Sequence, residues 1–383
     1  MPAVKVELPD YLRDGFEVHR AAVAQGAHIL ALPRQVLLVG SQGAVPSQIS
    51  FAHGVPEAST LSALTFAQDR RLRRALLERA KVPQPRGATF SWNSRARARR
   101  WTDELGYPVV VKEVVGENPA RSVRDVVSRS ELLDAIRTLR LRLPEDRSPG
   151  RNPHLAGYAA TRLSVVLDDN ENEVAPPRTR FLIEEQLSGT ILRSIVVGGE
   201  IVATVELNPD TRTSTHEVLD GLSETSRDII LRAADAIPGL GLAVVDAVVD
   251  GREARAVVEV SERPRIATFI TADEALGARI GEAIVRFQAT HAGFDSGSPV
   301  EQLDVNLHIE GLRRADEAAE AFPTAAALHG VEAHPAEIDR VLGDLKCRVV
   351  GNTRDIVTVI ELFLAGLLLD DKPAAIEYEI GAA

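Results

Sequence analysis

The order of apolar and polar positions along the chain predicts an alternation of helices and short strands. Apolar residues that recur every three or four positions predict amphipathic helices, and short apolar runs bounded by turn residues predict strands. The predicted helices cover residues 11–27, 64–80, 95–105, 130–140, 225–237, 272–290, 312–322, 335–345 and 353–369. The predicted strands cover residues 29–32, 35–39, 107–112, 163–167, 181–183, 195–197, 201–205, 242–249, 254–260, 303–309 and 346–350. This pattern predicts a mixed α/β (α+β) fold.

Acidic residues end one predicted strand and lie on both strands of a predicted hairpin. Glu184 and Glu185 end the apolar run 181–183, shortly before a Gly198-Gly199 turn that is typical of hairpins. A second hairpin, closed by Asp250-Gly251, pairs residues 242–249 with 254–260 and carries Asp246 and Glu259. We expect these two acids to face one site because they lie on adjacent strands.

A chain of 383 residues is long enough for two or three domains. The changes in pattern predict an N-terminal α/β domain over 1–60, two lobes over 61–187 and 188–294, and a C-terminal α/β module over 295–383.

Composition narrows the classes of partner and compartment. The net charge of −11 disfavours nucleic acid as the main partner, because duplex binding requires a basic face. The single cysteine, Cys347, excludes an internal disulfide and a thiolate metal cluster, which favours a reducing compartment. The first ten residues lack the features of a signal peptide, and Glu361 interrupts the apolar stretch 356–369. We therefore expect a soluble, cytoplasmic protein without membrane partners, and a homo-oligomer remains open.

Charged residues recur in an order that points to one superfamily. A basic residue on a helix comes first, then a lysine that ends a strand, a carboxylate pair, an arginine and two acids on paired strands. These are Arg70, Lys112, Glu184 with Glu185, Arg193, Asp246 and Glu259. Together with the segments 69–87, 106–112, 181–205 and 259–264, this order resembles the ATP-grasp carboxylate–amine ligases, in particular the branch with cyanophycin synthetase and the D-alanine–D-alanine ligases. The resemblance covers roughly residues 55–285.

The resemblance implies two lobes that clasp ATP and Mg²⁺, and small-molecule carboxylate and amine substrates. Phosphates would be held by cations, and the metal by hard oxygen ligands. The resemblance implies that Lys112 and Arg70 bind the phosphates, with Arg71 or Arg73 as alternatives to Arg70, and that Glu184, Glu185 and Leu187 bind adenine. It implies that Asp246, Glu259 and Ser261 bind the metal and that Arg193 is catalytic. Arg263 and Arg265 would bind the substrate carboxylate. A solvated charge at a strand end or on the protein surface is the alternative for Arg70, Lys112, Glu184, Glu185, Arg193, Asp246 and Glu259.

Two departures from the superfamily pattern keep other functions open. Ser261 stands where the motif Glu-x-Asn has its asparagine, and the phosphate lid predicted over 113–122 contains only Gly116, together with Pro119 and Arg121. Both fit a divergent ligase that forms an amide through an acyl phosphate. They also fit a nucleotide-binding protein without ligase activity, while transfer of the acyl group to a thiol or a carrier protein is a further alternative.

Overall fold

The computed structural model describes residues 5–24, 28–40, 48–115, 122–140, 180–208, 211, 213–251, 253–294 and 300–380. The chain divides into two compact units. The first unit contains Met1–Ser59, Thr213–Glu217 and Arg263–Ala383, and the second contains Thr60–Arg212 and Val218–Glu262. Helices and antiparallel sheets alternate in both, so the predicted mixed α/β class is confirmed.

The first unit contains an eight-stranded antiparallel sheet and several helices. Its helices are α1 (Arg13–Val23), α7 (Ile266–Ala272), α8 (Ala275–Ala292), α9 (Ala315–Ala327) and α10 (Thr353–Leu364), with a 3-10 turn at Asp10–Leu12. Its strands are β1 (His28–Leu32), β2 (Val36–Gly40), β3 (Gln48–Ala52), β4 (Val55–Pro56), β11 (Ser214–Glu217), β14 (Gln302–Glu310), β15 (Glu332–Asp339), β16 (Asp344–Asn352) and β17 (Ala375–Glu379).

The sheet of the first unit joins both ends of the chain. Its order is β15-β16-β14-β17-β1-β2-β3-β4, with β17 hydrogen-bonded to β14 on one side and to β1 on the other. The sequence predicted separate modules over 1–60 and 295–383, and the structure corrects this. Neither segment has a complete sheet of its own, because β17 pairs with strands of both. The sequence pattern did not predict this strand.

The second unit contains two further antiparallel sheets. Its helices are α2 (Leu61–Gln68), α3 (Arg70–Arg79), α4 (Arg95–Leu105), α5 (Arg129–Arg140) and α6 (Glu224–Asp235), with a 3-10 turn at Leu219–Gly221. Its strands are β5 (Gly87–Ser91), β6 (Val109–Glu113), β7 (Ser122–Val126), β8 (Arg180–Glu185), β9 (Thr190–Val197), β10 (Glu200–Leu207), β12 (Leu242–Asp250) and β13 (Glu253–Ser261). One sheet has the order β5-β8-β6-β7, and the other contains β10-β9-β12-β13.

Each sheet of the second unit buries one face under helices. Phe181, Ile183 and Val111 pack with residues of α4 and α5, and Val245, Val249 and Val260 pack with residues of α2, α3 and α6. Successive strand residues point to opposite faces. The alternate positions of both sheets, which include Lys112, Glu184 and Asp246, therefore lie on the faces away from these two apolar clusters.

Several predicted elements differ from those observed. Residues 335–345, predicted as a helix, include most of the edge strand β15, a turn and the start of β16. Pro335 is tolerated in β15 because an edge position need not donate a ladder hydrogen bond. The helix predicted over 64–80 is divided at Asp69, and that predicted over 272–290 is preceded by the separate α7. The strand predicted over 163–167 lies outside the described residues. Among the described residues, no helix has both the length and the apolar character that a bilayer crossing requires.

Candidate functional site

Three charged residues form one row across the second sheet of the second unit. Asp246 on β12 lies directly opposite Arg193 on β9 and directly opposite Glu259 on β13. Residues opposite each other in antiparallel strands point to the same face. Ser261 follows Glu259 by two positions and therefore lies on that face as well. The strand register thus places Asp246 and Glu259 on one face of the sheet, and their binding of a common metal ion stays a prediction.

The Arg193–Asp246 pair is buried and bidentate. Arg193 donates from Nε to Oδ1 of Asp246 and from Nη2 to Oδ2, both at 2.8 Å. The two residues are 8% and 3% exposed. Such a fork-to-fork geometry fixes both side chains, and removal of either partner leaves a buried charge without its counter-ion.

Helix α3 brings three further cations to the same cluster. Arg70, Arg73 and Arg74 occupy positions i, i+3 and i+4, which lie on one side of a helix. Asp69 ends α2 and begins α3 with an extended backbone, and its side chain accepts the N–H of Arg71 at 2.9 Å. The Arg71 side chain is bonded back to Asp69, so this arginine does not contribute to the cluster.

Arg73 and Arg70 hold Glu259. Arg73 forms an ion pair with Glu259 Oε1 and donates to the carbonyl oxygens of Ala67 and Val260 at 2.8 and 2.9 Å. Arg70 Nη2 lies 3.9 Å from Glu259 Oε2. Arg73 is therefore tied to the strand that carries the predicted metal ligands.

Arg70 also reaches the start of the predicted phosphate lid. Its Nη1 donates to the carbonyl of Glu113 at 2.7 Å, and its Nε is buried without a hydrogen-bond partner among the described residues. A buried guanidinium with an unused donor is unusual because an unpaired buried polar group is costly, so it marks a place where an anion would be stabilised. The remainder of the lid, Gly116 to Arg121, lies outside the described residues.

Glu184 links α3 to the first sheet of the second unit. Its Oε2 lies 2.7 Å from Lys112 Nζ, and its Oε1 accepts from Arg74 Nη1 at 2.5 Å. Burial raises the pKa of Glu184, but the charges of Lys112 and Arg74 outweigh burial and hold the pKa below its ordinary value. Glu184 is therefore ionised at neutral pH.

Gly87 makes room for this ion pair. Gly87, on β5, lies directly opposite Glu184, on β8. A Cβ at this position would stand 2.9 Å from Glu184 Cγ and 3.2 Å from Arg74 Cζ. Both separations are shorter than carbon atoms tolerate without movement, so glycine allows Arg74 to approach Glu184.

The other predicted nucleotide ligands are placed differently. Glu185 is adjacent to Glu184 on β8 and points to the opposite face, where both of its carboxylate oxygens accept from Arg86 at 2.8 Å. The structure therefore brings Glu184, and not Glu185, into the cluster. Leu187 lies half-buried in the segment that joins the two sheets, and its contact with adenine stays a prediction.

The predicted substrate residues Arg263 and Arg265 belong to the first unit. There, both arginines lower the pKa of Asp14, against a larger opposite effect of burial. Their binding of a substrate carboxylate stays a prediction.

The cluster as a whole combines five cations with three acids. The cations are Arg70, Arg73, Arg74, Lys112 and Arg193, and the acids are Glu184, Asp246 and Glu259. The excess of positive charge suits a polyanion. The acids and the Ser261 hydroxyl are hard oxygen donors, which fits Mg²⁺, although a hydroxyl is a weaker ligand than the amide of the superfamily motif.

Sequence reasoning missed Arg74 and Gly87 and named Arg73 only as an alternative. The spacing of Arg70, Arg73 and Arg74, with Leu77 buried one turn further, was a usable signal for one helix face. For Gly87 there was no comparable signal, because its role depends on a strand that lies about a hundred residues further along the chain.

Comparisons with known proteins found that part of the chain is similar, at low identity, to solved structures of ligases. No protein-family model and no curated protein matches the chain. A D-alanine–D-alanine ligase from Bacillus anthracis is 15% identical, with a TM-score of 0.43, over 61% of this chain and 71% of that one. A D-alanine–D-alanine ligase from Coxiella burnetii is 16% identical, with a TM-score of 0.41, over 61% and 60%. The ATP-grasp ligase PsnB, complexed with a minimal precursor, is 19% identical, with a TM-score of 0.39, over 60% and 61%.

Proposed function

We propose that the protein is an ATP-dependent carboxylate–amine ligase that acts on amino acids or small peptides. A carboxylate oxygen of one substrate attacks the γ-phosphorus of ATP, and ADP leaves. The amine nitrogen of the second substrate then attacks the carbonyl carbon of the acyl phosphate. The amide forms, inorganic phosphate leaves and the amine gives up a proton.

One observation carries this proposal: Arg193, Asp246 and Glu259 lie in register across three adjacent strands. Phosphoryl transfer needs a cation near the transferred phosphoryl group and oxygen ligands for the metal that bridges the phosphates. A row with one arginine and two carboxylates supplies both kinds of group at one place. Its neighbours Lys112 and Arg70 supply the remaining charge for a triphosphate.

The ion pairs of the cluster prepare it for exchange of partners. Without nucleotide, each acid is neutralised by a cation of the protein: Asp246 by Arg193, Glu259 by Arg73, and Glu184 by Lys112 and Arg74. The phosphates of ATP would offer Arg193 and Lys112 new partners, and Asp246 and Glu259 would then be available to hold Mg²⁺. The ion would supply positive charge that neutralises the phosphates. Arg193 orients the γ-phosphate and stabilises the charge of the acyl phosphate.

A protein that binds nucleotide without turnover is the second candidate. Two observations favour it: Ser261 is a weak metal ligand, and Asp246 is already paired bidentately with Arg193. If this pair does not separate when nucleotide binds, Asp246 cannot serve the metal. Nucleotide affinity would then remain while transfer of the phosphoryl group would not occur.

A screen for ADP release separates the two candidates. The full chain is incubated with ATP, Mg²⁺ and pairs of amino acids or dipeptides, and ATP binding is measured in parallel. A ligase releases ADP only with a matching pair of substrates and gives a product whose mass equals the sum of both minus water. ATP binding without ADP from any pair favours the second candidate. A second screen replaces the amine by a thiol that has no amino group, and a product mass equal to acid plus thiol minus water identifies a thiol as the acceptor.

A further inference from the structure

A second charged cluster lies on the large sheet of the first unit. His308 and Glu310 are two positions apart on β14, and Glu377 on β17 is directly opposite His308. The alternate residues Leu307 and Ile309 are buried, so the three polar side chains share the other face of the sheet. All three are half-buried, whereas the earlier polar positions of β14 are exposed.

The spacing of their ligand atoms suits a metal ion better than direct hydrogen bonds. His308 Nδ1 lies 3.5 Å from Glu310 Oε1 and 4.0 Å from Glu377 Oε2. Hydrogen bonds between such atoms are normally about 2.7–3.2 Å long. Ligands bound at about 2.0–2.1 Å in a tetrahedral site stand about 3.4 Å apart. The three ligand atoms lie within 4.8 Å of one another, so small side-chain movements would bring them to that spacing.

The ring and carboxylate atoms that face away from this centre have partners of their own. His308 Nε2 lies 3.7 Å from Oδ2 of Asp344, and Glu377 Oε1 accepts from His28 Nε2 at 2.6 Å. Metal-binding histidines commonly direct their other ring nitrogen to a carboxylate, which orients the ring and selects the tautomer. The hydrogen bond from His28 fixes the Glu377 carboxylate, whereas Asp344 lies beyond hydrogen-bond distance of His308 and acts on the ring through its charge.

The charge of this cluster also favours a cation. Three carboxylates, Glu310, Glu377 and Asp344, surround His308. Lys346, which is opposite His308 on β16, is bonded to Glu337 at 2.7 Å instead. Ligand oxygens of Glu310 and Glu377 lie within 4.8 Å of each other, so their negative charges repel, and a divalent cation removes the repulsion.

We propose that His308, Glu310 and Glu377 bind a divalent transition-metal ion, for which Zn²⁺ is the probe. Imidazole nitrogen favours zinc and related ions over magnesium, and three protein ligands leave a fourth position for water. Bound there, the ion joins β14 to β17 and, through His28, to β1. It thus connects strands from opposite ends of the sequence, and its binding is independent of the proposed ligase site in the second unit.

Zinc titration against a chromophoric chelator, with the nucleotide-free full chain, tests the proposal. We expect one zinc ion per chain. His308→Ala and Glu377→Gln each weaken binding at least tenfold, and His28→Ala weakens it by about tenfold, as for an outer partner of a ligand. His334→Ala is the control: this histidine has a carboxylate, Glu332, 3.9 Å away but belongs to no three-ligand group among the described residues. Its variant binds zinc like the wild type.

Cobalt provides a second readout that folding defects do not mimic. Co²⁺ at this site gives visible absorption bands of a low-coordinate nitrogen and oxygen site, and Glu310→Gln changes them while far-UV circular dichroism stays unchanged. Glu259→Gln, in the proposed ligase site, leaves the zinc affinity and the cobalt spectrum intact. Unchanged zinc affinity in His308→Ala, or absence of stoichiometric zinc binding by the wild type, overturns the proposal. Loss of zinc binding on the single substitution Glu259→Gln also overturns the proposal.

Discussion

Glu259 holds two arginines in place and is also a proposed metal ligand, so its charge serves both stability and chemistry. Replacement by glutamine keeps the shape and removes the charge that pairs with Arg73. For Glu259→Gln we expect turnover to fall by about two orders of magnitude or more, because a ligand of the magnesium ion that would hold the transferring phosphates is lost. The ADP-release assay measures this once a substrate pair is known.

Glu253→Gln is the matched control for that substitution. Glu253 begins the same strand, β13, and is exposed, so its variant should retain turnover. Near-normal turnover in Glu259→Gln would refute the metal assignment.

Gly87 controls the fit between Arg74 and Glu184. In Gly87→Ala the added methyl group would contact Glu184 Cγ and the carbonyl oxygen of Ile183 at 2.9 and 3.1 Å. We expect the free energy of unfolding to fall by about 1–3 kcal/mol, as for other insertions into packed sites. Urea denaturation measures the change. Gly221→Ala is the control, because a Cβ there meets no atom within 4 Å, and a loss of equal size in this variant would contradict the steric argument.

At the scale of elements, Asp69 decides where α3 begins. Its carboxylate accepts the N–H of Arg71, which caps the helix that carries Arg70, Arg73 and Arg74. Asp69→Ala removes this cap, and we expect a loss of about 1 kcal/mol in unfolding free energy, the usual value for N-cap replacement. Thermal and urea denaturation report the loss.

Ser94 offers a comparison at the start of α4. It occupies the N-cap position without a side-chain cap hydrogen bond, so Ser94→Ala should change stability less than Asp69→Ala. Equal losses would mean that the Asp69 cap contributes nothing specific.

Hydrophobic periodicity identified most helices and strands but not all of their limits. It predicted one helix over 64–80 because the apolar spacing continues across Asp69, whereas the cap and a bridge to Val115 divide the helix there. It predicted a helix over 335–345 because the local pattern does not contain β16, the strand with which β15 pairs. Tertiary pairing overrides local preference at both places.

The acids of the candidate site could be predicted to lie close together because a short hairpin brings them to adjacent strands. Asp246 and Glu259 lie within fourteen residues of chain, closed by Asp250-Gly251, but two register shifts in the pairing set them directly opposite each other, and local rules do not predict those shifts. The pairing of Arg74 with Glu184 joins residues 110 positions apart. Sequence alone indicated that Arg74 is charged, but not which partner it has.

At the scale of the whole molecule, each of the two units is built from separate stretches of the sequence. The chain leaves the first unit at Ser59, builds the second over Thr60–Arg212 and Val218–Glu262, and contributes Thr213–Glu217 to the first unit before it returns there at Arg263. Linear changes in composition therefore cannot reveal that residues 28–32 and 375–379 share a sheet. Hydrogen bonds and ion pairs between distant segments of the first unit hold this arrangement, and the contact of Asp14 with Ile266 is one of them.

Asp14 makes the stability of the molecule depend on pH. Its Oδ1 accepts the N–H of Ile266 at 2.6 Å. Burial raises the pKa of Asp14 from 3.8 to about 6, although this hydrogen bond and the charges of Arg263 and Arg265 act in the opposite direction. Because the folded state keeps the proton up to a higher pH than the unfolded state, this contribution to stability is complete below about pH 4 and is lost as the pH rises through about 6. The pKa difference corresponds to about 3 kcal/mol.

Asp14→Asn removes the titration and keeps an acceptor for the Ile266 N–H. Its free energy of unfolding, relative to that of the wild type, should rise between pH 4 and pH 7, because only the wild type must ionise a desolvated carboxyl group over this range. Urea denaturation at a series of pH values measures both proteins. Asp370→Asn, which changes a fully exposed carboxylate, should run parallel to the wild type. If the free energies of unfolding of wild type and Asp14→Asn differ by the same amount at every pH, Asp14 ionises alike in the folded and unfolded states. The contact of Asp14 with Ile266 is then not coupled to pH.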